Sequence, residues 1–339
     1  MKNNYLFNFS ASFGGGGFKR LYAYAKWFNQ NGGAWFLIHA NCHALINEFP
    51  NNRFTIANQS KFQRLVNDCG YLRAIQKEIN KPDLYYSYGI PIYYKLGRVN
   101  WFHLSNVLPL VAFKGIPIAL FDKIKLSYLG RRIKNNYKNA DICSAESDFS
   151  LSLINSDQCI KRVVAVNGGD DEILLDQTNK NEKKNPIAIV VGTYRYKSLN
   201  DAYAVFEWLR EKDHNLKLMI IGNEQHIPSN IKKHNHVILK GILQQNEVIN
   251  YLQTSKYYIS TTYIENSYNA ASEGIFFAEE SYISDIGPHR ELMTDLSFER
   301  ISVPKMKRPM LHIKKDNLSV LNLKTWDTVI KEMIRHACV

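Results

Sequence analysis

Short, almost uninterrupted apolar runs alternate with helix-like segments along this chain; the pattern runs through once, breaks, and starts again. In the first pass Tyr5-Leu6-Phe7-Asn8-Phe9 reads as a strand, and Gly14-Gly15-Gly16-Gly17 follows as a turn. Residues 18–30 then form a helical pattern with Leu21, Ala25 and Phe28 on one side. Further strands are predicted over 34–38, 84–86, 99–102, 116–120, 142–145 and 163–166, with a helix over 61–80. Strands this apolar need cover on both faces, which is the situation of a parallel sheet between helical layers. The second pass predicts strands over 187–191, 216–221, 237–239 and 257–260, and helices over 201–211 and 247–254. A helix starts within 265–277, and 321–336 is amphipathic, with Leu323, Trp326, Val329, Ile330 and Met333 on one face.

The break lies at 167–186. Asn167-Gly168-Gly169-Asp170-Asp171 is a turn cluster, and 177–185 is polar and charged. The predicted class is therefore α/β, with one doubly wound Rossmann-like lobe over 1–166, a linker over 167–186 and a second lobe over 187–320. Two such lobes predict a central cleft, with the site at the C-terminal ends of the strands.

Several function classes drop out. No run of 18 or more apolar residues exists, so a spanning helix is not expected. The N-terminus lacks a signal-peptide pattern. The five cysteines (Cys42, Cys69, Cys143, Cys159 and Cys338) are odd in number and contain no Cys-x-x-Cys pair. That argues against a disulfide framework and a zinc site, and predicts a reducing cytoplasm. The net charge of +12 sits entirely in the first half: residues 1–165 hold 21 Lys and Arg against 9 Asp and Glu, and the remainder balances. A basic lobe suggests an anionic partner, a nucleic acid or an acidic membrane surface. No nucleic-acid-binding motif is present, so nucleic acid is not the expected partner. The stretch 118–138 places Lys123, Lys125, Arg131, Arg132, Lys134 and Lys138 among Ile124, Leu126, Leu129 and Ile133, the pattern of a basic amphipathic helix suited to peripheral membrane contact.

Two places carry candidate chemistry. Gly14–Gly17, with Gly15 and Gly16 at its centre, lies between a strand and a helix, where bare backbone can approach a phosphate or sugar. It matches neither Gly-x-Gly-x-x-Gly nor a P-loop. In the second half, Glu265 and Glu273 are separated by seven residues, with Asn266 and Ser267 able to cap a helix between them. Glu265 is then expected in the loop after a strand and Glu273 about two turns into the helix. One carboxylate would take sugar hydroxyls and the other ribose hydroxyls. Asp170-Asp171 falls in the linker and is not expected to bind metal.

The run Glu265-Asn266-Ser267-Tyr268-Asn269-Ala270, then Glu273, then Ser284-Asp285-Ile286-Gly287-Pro288-His289-Arg290-Glu291 resembles the retaining glycosyltransferases of the two-lobed GT-B type, specifically the large family 4 group with its Glu-x7-Glu motif. Gly192-Thr193-Tyr194-Arg195-Tyr196-Lys197-Ser198 resembles the family's Gly-Arg-Lys-Gly region, with Thr193 where a basic residue is usual. The likeness covers about 163–292 and is looser in the first lobe. It implies a GT-B fold whose final helix, 321–339, crosses back to the first lobe. It implies retaining transfer of a sugar from a nucleotide-sugar donor, UDP or GDP, to a glycan or polyprenyl-linked saccharide. No cofactor and no metal are expected. Glu265 and a first-lobe histidine, His103, would be catalytic. Arg195 or Lys197 would face the donor diphosphate, Asn266, Ser267 and Tyr268 would line the donor pocket, and Glu273 would bind the ribose. Tyr268 stands where the family has Pro or Gly. A sugar-nucleotide epimerase of the same fold and, from a different class, a basic nucleic-acid-binding protein are the alternatives.

Overall fold

The structure, a computed structural model, describes residues 4–57, 61–78, 81–154, 161–168, 184–266, 269–293, 298–314 and 324–338. The chain divides into two compact units. Unit 1 holds Met1–Val111, Ile124–Asp171 and Lys324–Val339; unit 2 holds Ala112–Lys123 and Glu172–Leu323.

Unit 1 is built on strands β1 (Tyr5–Asn8), β2 (Trp35–Ile38), β3 (Arg53–Ile56), β4 (Leu84–Tyr88), β5 (Val99–Leu104), β6 (Ile142–Ala145) and β7 (Lys161–Val164). They pair in the order β3-β2-β1-β4-β5-β6-β7, all parallel. The order reverses between β1 and β4, the doubly wound switch point at which open α/β sheets present their ligands. The helix Gly15–Gln30 leaves β1 there and buries Arg20, Leu21, Tyr24, Ala25 and Phe28, one face at helical spacing. These side chains meet Phe7, Phe36, Tyr86 and Trp101 of the sheet. The helix Trp326–Ala337 belongs to the same core through Trp326, Val329, Ile330 and Met333. Thr325 caps it by accepting from the Thr328 amide, and Trp27 Nε1 donates to Asp327 at 2.9 Å. Gly168 is required at its position, because a Cβ would come within 2.6 Å of the Trp326 ring.

Unit 2 holds β8 (Asn185–Val191), β9 (Lys217–Ile221), β10 (Val237–Gly241), β11 (Ser255–Ser260), β12 (Glu280–Ser284), β13 (Glu299–Ile301) and β14 (Met310–Lys314). Their order is β10-β9-β8-β11-β12-β14-β13, parallel as far as β12 and antiparallel beyond it.

Five strands differ from the sequence expectation. No strand forms at 116–120. Gly115 turns the chain at φ +80°, Pro117 has no amide for a ladder, and a helix begins at Leu120. The strand expected over 163–166 ends two residues earlier. β3 is an edge strand whose mixed sequence hides the pattern. β13 and β14 add an antiparallel edge to a sheet read as parallel; His312 there meets Glu280 at 2.7 Å. Cys42 and Cys338 are free, but Cys143 is disulfide-bonded, contrary to the expectation from cysteine count. Among the described residues no helix is long and apolar enough to cross a membrane.

Candidate functional site

In unit 2 the neighbouring strands β8, β11 and β12 run parallel, so the loops after Val191, Ser260 and Ser284 emerge side by side. Gly192, at φ +89°, lets the Lys197 stem pass close over the backbone; a Cβ there would lie 3.3 Å from Lys197 Cε. Lys197 Nζ donates to Glu265 Oε1 at 2.6 Å, with both groups largely shielded from water. The two loops are knitted together by the Tyr263 amide, which donates to the Tyr196 carbonyl at 2.8 Å. Arg308 braces them by donating to the carbonyls of Thr261 at 2.9 Å and Thr262 at 3.1 Å, while lying over the Tyr263 ring.

The helix Asn269–Phe277 packs tightly on β11, since a Cβ on Gly274 would come within 2.2 Å of the Tyr258 ring. Glu273 lies a little over one turn into this helix rather than two. It is half-buried and accepts from Gln245 Nε2 at 3.0 Å. Burial pushes the Tyr258 phenol up, with the charges of Glu265 and Glu273 adding to it, so the two carboxylates share one neighbourhood. His289 is fully buried and feels the Glu265 charge. Its Nδ1–H donates to the Ser284 carbonyl at 2.7 Å, and burial pushes the imidazole down to about 4. The ring is thus neutral at pH 7. Asp285 has another job: Arg290 and Arg300 both bind it and hold it below the usual carboxylate range, tying the helix Gly287–Glu291 to β13.

The remaining expectations are met unevenly. Arg195 is in the same short turn as Lys197 but is exposed, with no ion-pair partner among the described residues. Lys197, not Arg195, is therefore the cation already held beside Glu265. Thr193 is buried and donates to the Asn223 carbonyl at 2.9 Å, joining the ends of β8 and β9. Asn266 is half-buried, and Ser267 and Tyr268 lie outside the described residues. Tyr194, unread in the sequence, is exposed and stacks on Tyr196 at 5.6 Å and 3°.

In unit 1, Gly15 takes a left-handed φ of +59° at an exposed helix N-terminus, and Gly16 is exposed beside it. His103 departs from expectation. It does not face outward at a strand end but is fully buried, stacked on Tyr88 at 5.0 Å. Trp101 Nε1, a donor only, gives its proton to Ser144 Oγ at 2.7 Å, and Ser144 lies 2.8 Å from His103 Nδ1. Donation by the Ser144 hydroxyl to Nδ1 puts the ring proton on Nε2, 3.6 Å from Glu146 Oε1. Burial, helped by the charge of Arg20, pushes His103 down to about 4.

Arg20 and Glu146 complete this cluster, and neither was singled out in the sequence. The Arg20 guanidinium has no exposed surface. It donates to Asn167 Oδ1 at 3.0 Å and to the carbonyls of Ala165 at 2.8 Å and Val166 at 3.0 Å, and lies 3.8 Å from Glu146. Tyr88 donates to the same carboxylate at 3.0 Å. His103 is thus enclosed within this cluster rather than exposed at the strand end. Among the described residues, no group of three or more His, Cys, Asp and Glu could hold a metal ion.

No family model matches the chain, and no curated protein matches its sequence. Solved structures do match its fold. Sucrose-phosphate synthase from Thermosynechococcus elongatus aligns with a TM-score of 0.68 at 10% identity, covering 98% of each chain. AviGT4, a glycosyltransferase of avilamycin A biosynthesis, aligns at 0.59 and 10% identity over 99% of this chain and 97% of its own. HepE from Anabaena, solved with UDP and glucose, aligns at 0.56 and 14% identity over 99% of this chain and 92% of its own. At these identities the likeness establishes the fold: a two-lobed, Rossmann-like GT-B protein.

Proposed function

We propose that this protein is a retaining glycosyltransferase, which moves a sugar from a nucleotide-sugar donor to a glycan or polyprenyl-linked saccharide. The observation that carries this reading is the Lys197–Glu265 pair at the C-terminal ends of β8 and β11, with Glu273 on the helix that follows, in a GT-B fold. Cleaving a donor leaves negative charge on the diphosphate. A preorganised ammonium offsets that charge as it develops, at a position partly shielded from water where the interaction is strong. Lys197 fits this role, with Arg195 as a second, outer cation. Glu265 holds Lys197 in place and offers its other oxygen to hydroxyls of the transferred sugar. Glu273 takes the ribose hydroxyls in exchange for Gln245. The positive charge of these side chains makes a metal unnecessary for binding the diphosphate. For retention, the leaving phosphate takes the proton of the attacking acceptor hydroxyl on the face it departs from. The new glycosidic bond then keeps the anomeric configuration, and no carboxylate nucleophile is needed.

The acceptor and the place of work go together. A lipid-linked saccharide, as in bacterial surface-polysaccharide or O-antigen assembly, would hold the reaction at the cytoplasmic face of an anionic membrane. The basic balance of residues 1–165 suits that surface.

A thermal-shift screen of UDP, GDP, dTDP and CMP sugars tests the donor. A ligand at 100 times its Kd adds about 2.7 kcal/mol, or roughly 5–10 °C for a lobe of this size. A glycosidic product formed with the stabilising donor separates transfer from epimerisation. No shift with any of the four classes would refute the reading.

A further inference from the structure

The helix Leu120–Asn136 carries its apolar side chains on the wrong side for a core helix. Leu120, Phe121, Ile124 and Tyr128 are 76, 78, 64 and 46% exposed. At about 100° per residue these four fall within one arc of roughly 100° along the first two turns and a half. The opposite side supplies the buried contacts, through Gly130 and Ile133. Gly130 allows that approach, since a Cβ would come within 2.0 Å of the Pro109 carbonyl oxygen. On the same helical projection Lys125 and Arg132 flank the apolar arc on one side, Lys123 and Lys134 flank it on the other, and Arg131 continues it toward the C-terminus. Asp122, the helix's one acid, projects away from the arc. Arg132 lies 4.5 Å over the Tyr93 ring and 5.8 Å over Tyr128, so one flank is held in place.

Single exposed apolar residues are ordinary, but four in one stripe mark an interaction surface. The charge pattern names the partner. Cations on both sides of the stripe match a plane of anionic headgroups, and the same cations would repel a second copy of the helix laid against it. The geometry points to a membrane-docking surface: Leu120, Phe121, Ile124 and Tyr128 enter the boundary between headgroups and acyl chains of an anionic bilayer. Lys123, Lys125, Arg131, Arg132 and Lys134 meet lipid phosphates around them. This rests on the transferase reading only in giving the enzyme a route to a lipid-linked acceptor; the docking itself needs no transfer activity.

Each cation near an anionic surface raises affinity about fivefold, while apolar entry is insensitive to salt, so the two contributions can be separated. The full chain is sedimented with phosphatidylcholine vesicles and with vesicles also containing phosphatidylglycerol. The native protein should bind the anionic vesicles and release them at about 1 M salt, where the screening length is about 3 Å. The variant L120S/F121S/I124S changes only exposed side chains and should keep its melting temperature. It should lose at least tenfold in affinity for anionic vesicles. In a separate Phe121→Trp variant, tryptophan emission should shift to the blue on vesicle addition. Failure of the native protein to bind at low salt, native-like binding by the triple variant, or an unshifted emission from the introduced tryptophan would each overturn the proposal. So would a native dimer that the triple variant dissociates without losing vesicle binding, which would make the stripe an interface between copies. Nucleotide binding by the triple variant, measured in parallel, reports on the transferase reading alone.

Discussion

Arg20→Met removes the charged centre of unit 1 while keeping most of the side-chain volume. The guanidinium and the Glu146 carboxylate are 3.8 Å apart, with 0 and 4% of their side chains exposed. At an effective dielectric of about 20, that separation corresponds to about 4 kcal/mol of attraction. Removing one member of a buried pair generally costs roughly 3–5 kcal/mol, because the other charge stays behind. Here the carboxylate would lose its nearby guanidinium while keeping the Tyr88 hydroxyl and the His103 edge, and the carbonyls of Ala165 and Val166 would lose the Arg20 donor. Against a typical stability of about 5–15 kcal/mol, the loss is large but not always fatal. With a urea slope of about 2–3 kcal/mol/M, the midpoint should fall by about 1–2 M. Tryptophan fluorescence reports on it directly, since Trp101 and Trp326 are buried in the same core. Adding Glu146→Leu should recover more than half of the loss, because an apolar pair leaves no stranded charge. A midpoint shift below about 0.3 M for Arg20→Met, or a double variant as unstable as the two single losses added together, would refute the account of Arg20 as partner to a buried anion.

Three further outcomes follow from the sites. Glu273→Ala should weaken nucleotide binding by the roughly 1.5–3 kcal/mol of a hydrogen bond to a charged group, measured by titration calorimetry on a folded variant. Lys197→Met should lower kcat about 10²–10³-fold and Arg195→Ala much less, since only Lys197 is held against Glu265; equal effects would undo that ranking. His103 and His289 are both pushed down to about 4 by burial. As pH falls below about 6.5 the unfolded chain takes up protons that the folded chain refuses, so stability drops until about pH 4, by about 3 kcal/mol for each histidine. His103→Asn and His289→Asn should each flatten that acid limb in urea titrations, and an unchanged limb would mean the ring is already charged in the fold.

The parallel strands were legible because burial on both faces leaves nearly pure apolar runs, as in Phe36-Leu37-Ile38 and Ile187-Ala188-Ile189-Val190. Edges lose that signal. β3 has one neighbour, so Arg53 and Thr55 stay polar; β13 is likewise an edge, with Glu299 and Arg300 exposed, and Lys314 is exposed at the end of β14. The strand expected at 116–120 failed for the opposite reason. Its residues are apolar but have no ladder to join, and the exposed hydrophobics just beyond them belong to the outward stripe of the helix Leu120–Asn136.

Glu265, Glu273 and Lys197 could be singled out in the sequence because the motif likeness rests on spacing along the chain. The pairing of Lys197 with Glu265 could not, because it arises from β8 and β11 being neighbours in space while separated by two strands in sequence. Arg20 shows the same limit more sharply. Alone in the sequence it reads as one more cation on the basic half, yet its partners are Glu146 and residues 165–167, brought to it by the doubly wound order of the sheet. His103 was read from its place near a strand end, and β5 extends past it to Leu104, with β4 and β6 on either side. A titratable group's state follows from what covers it, and cover is set by strand order; burial keeps both histidine rings neutral at pH 7, while Lys197, Glu265 and Glu273 stay partly exposed beyond the strand ends.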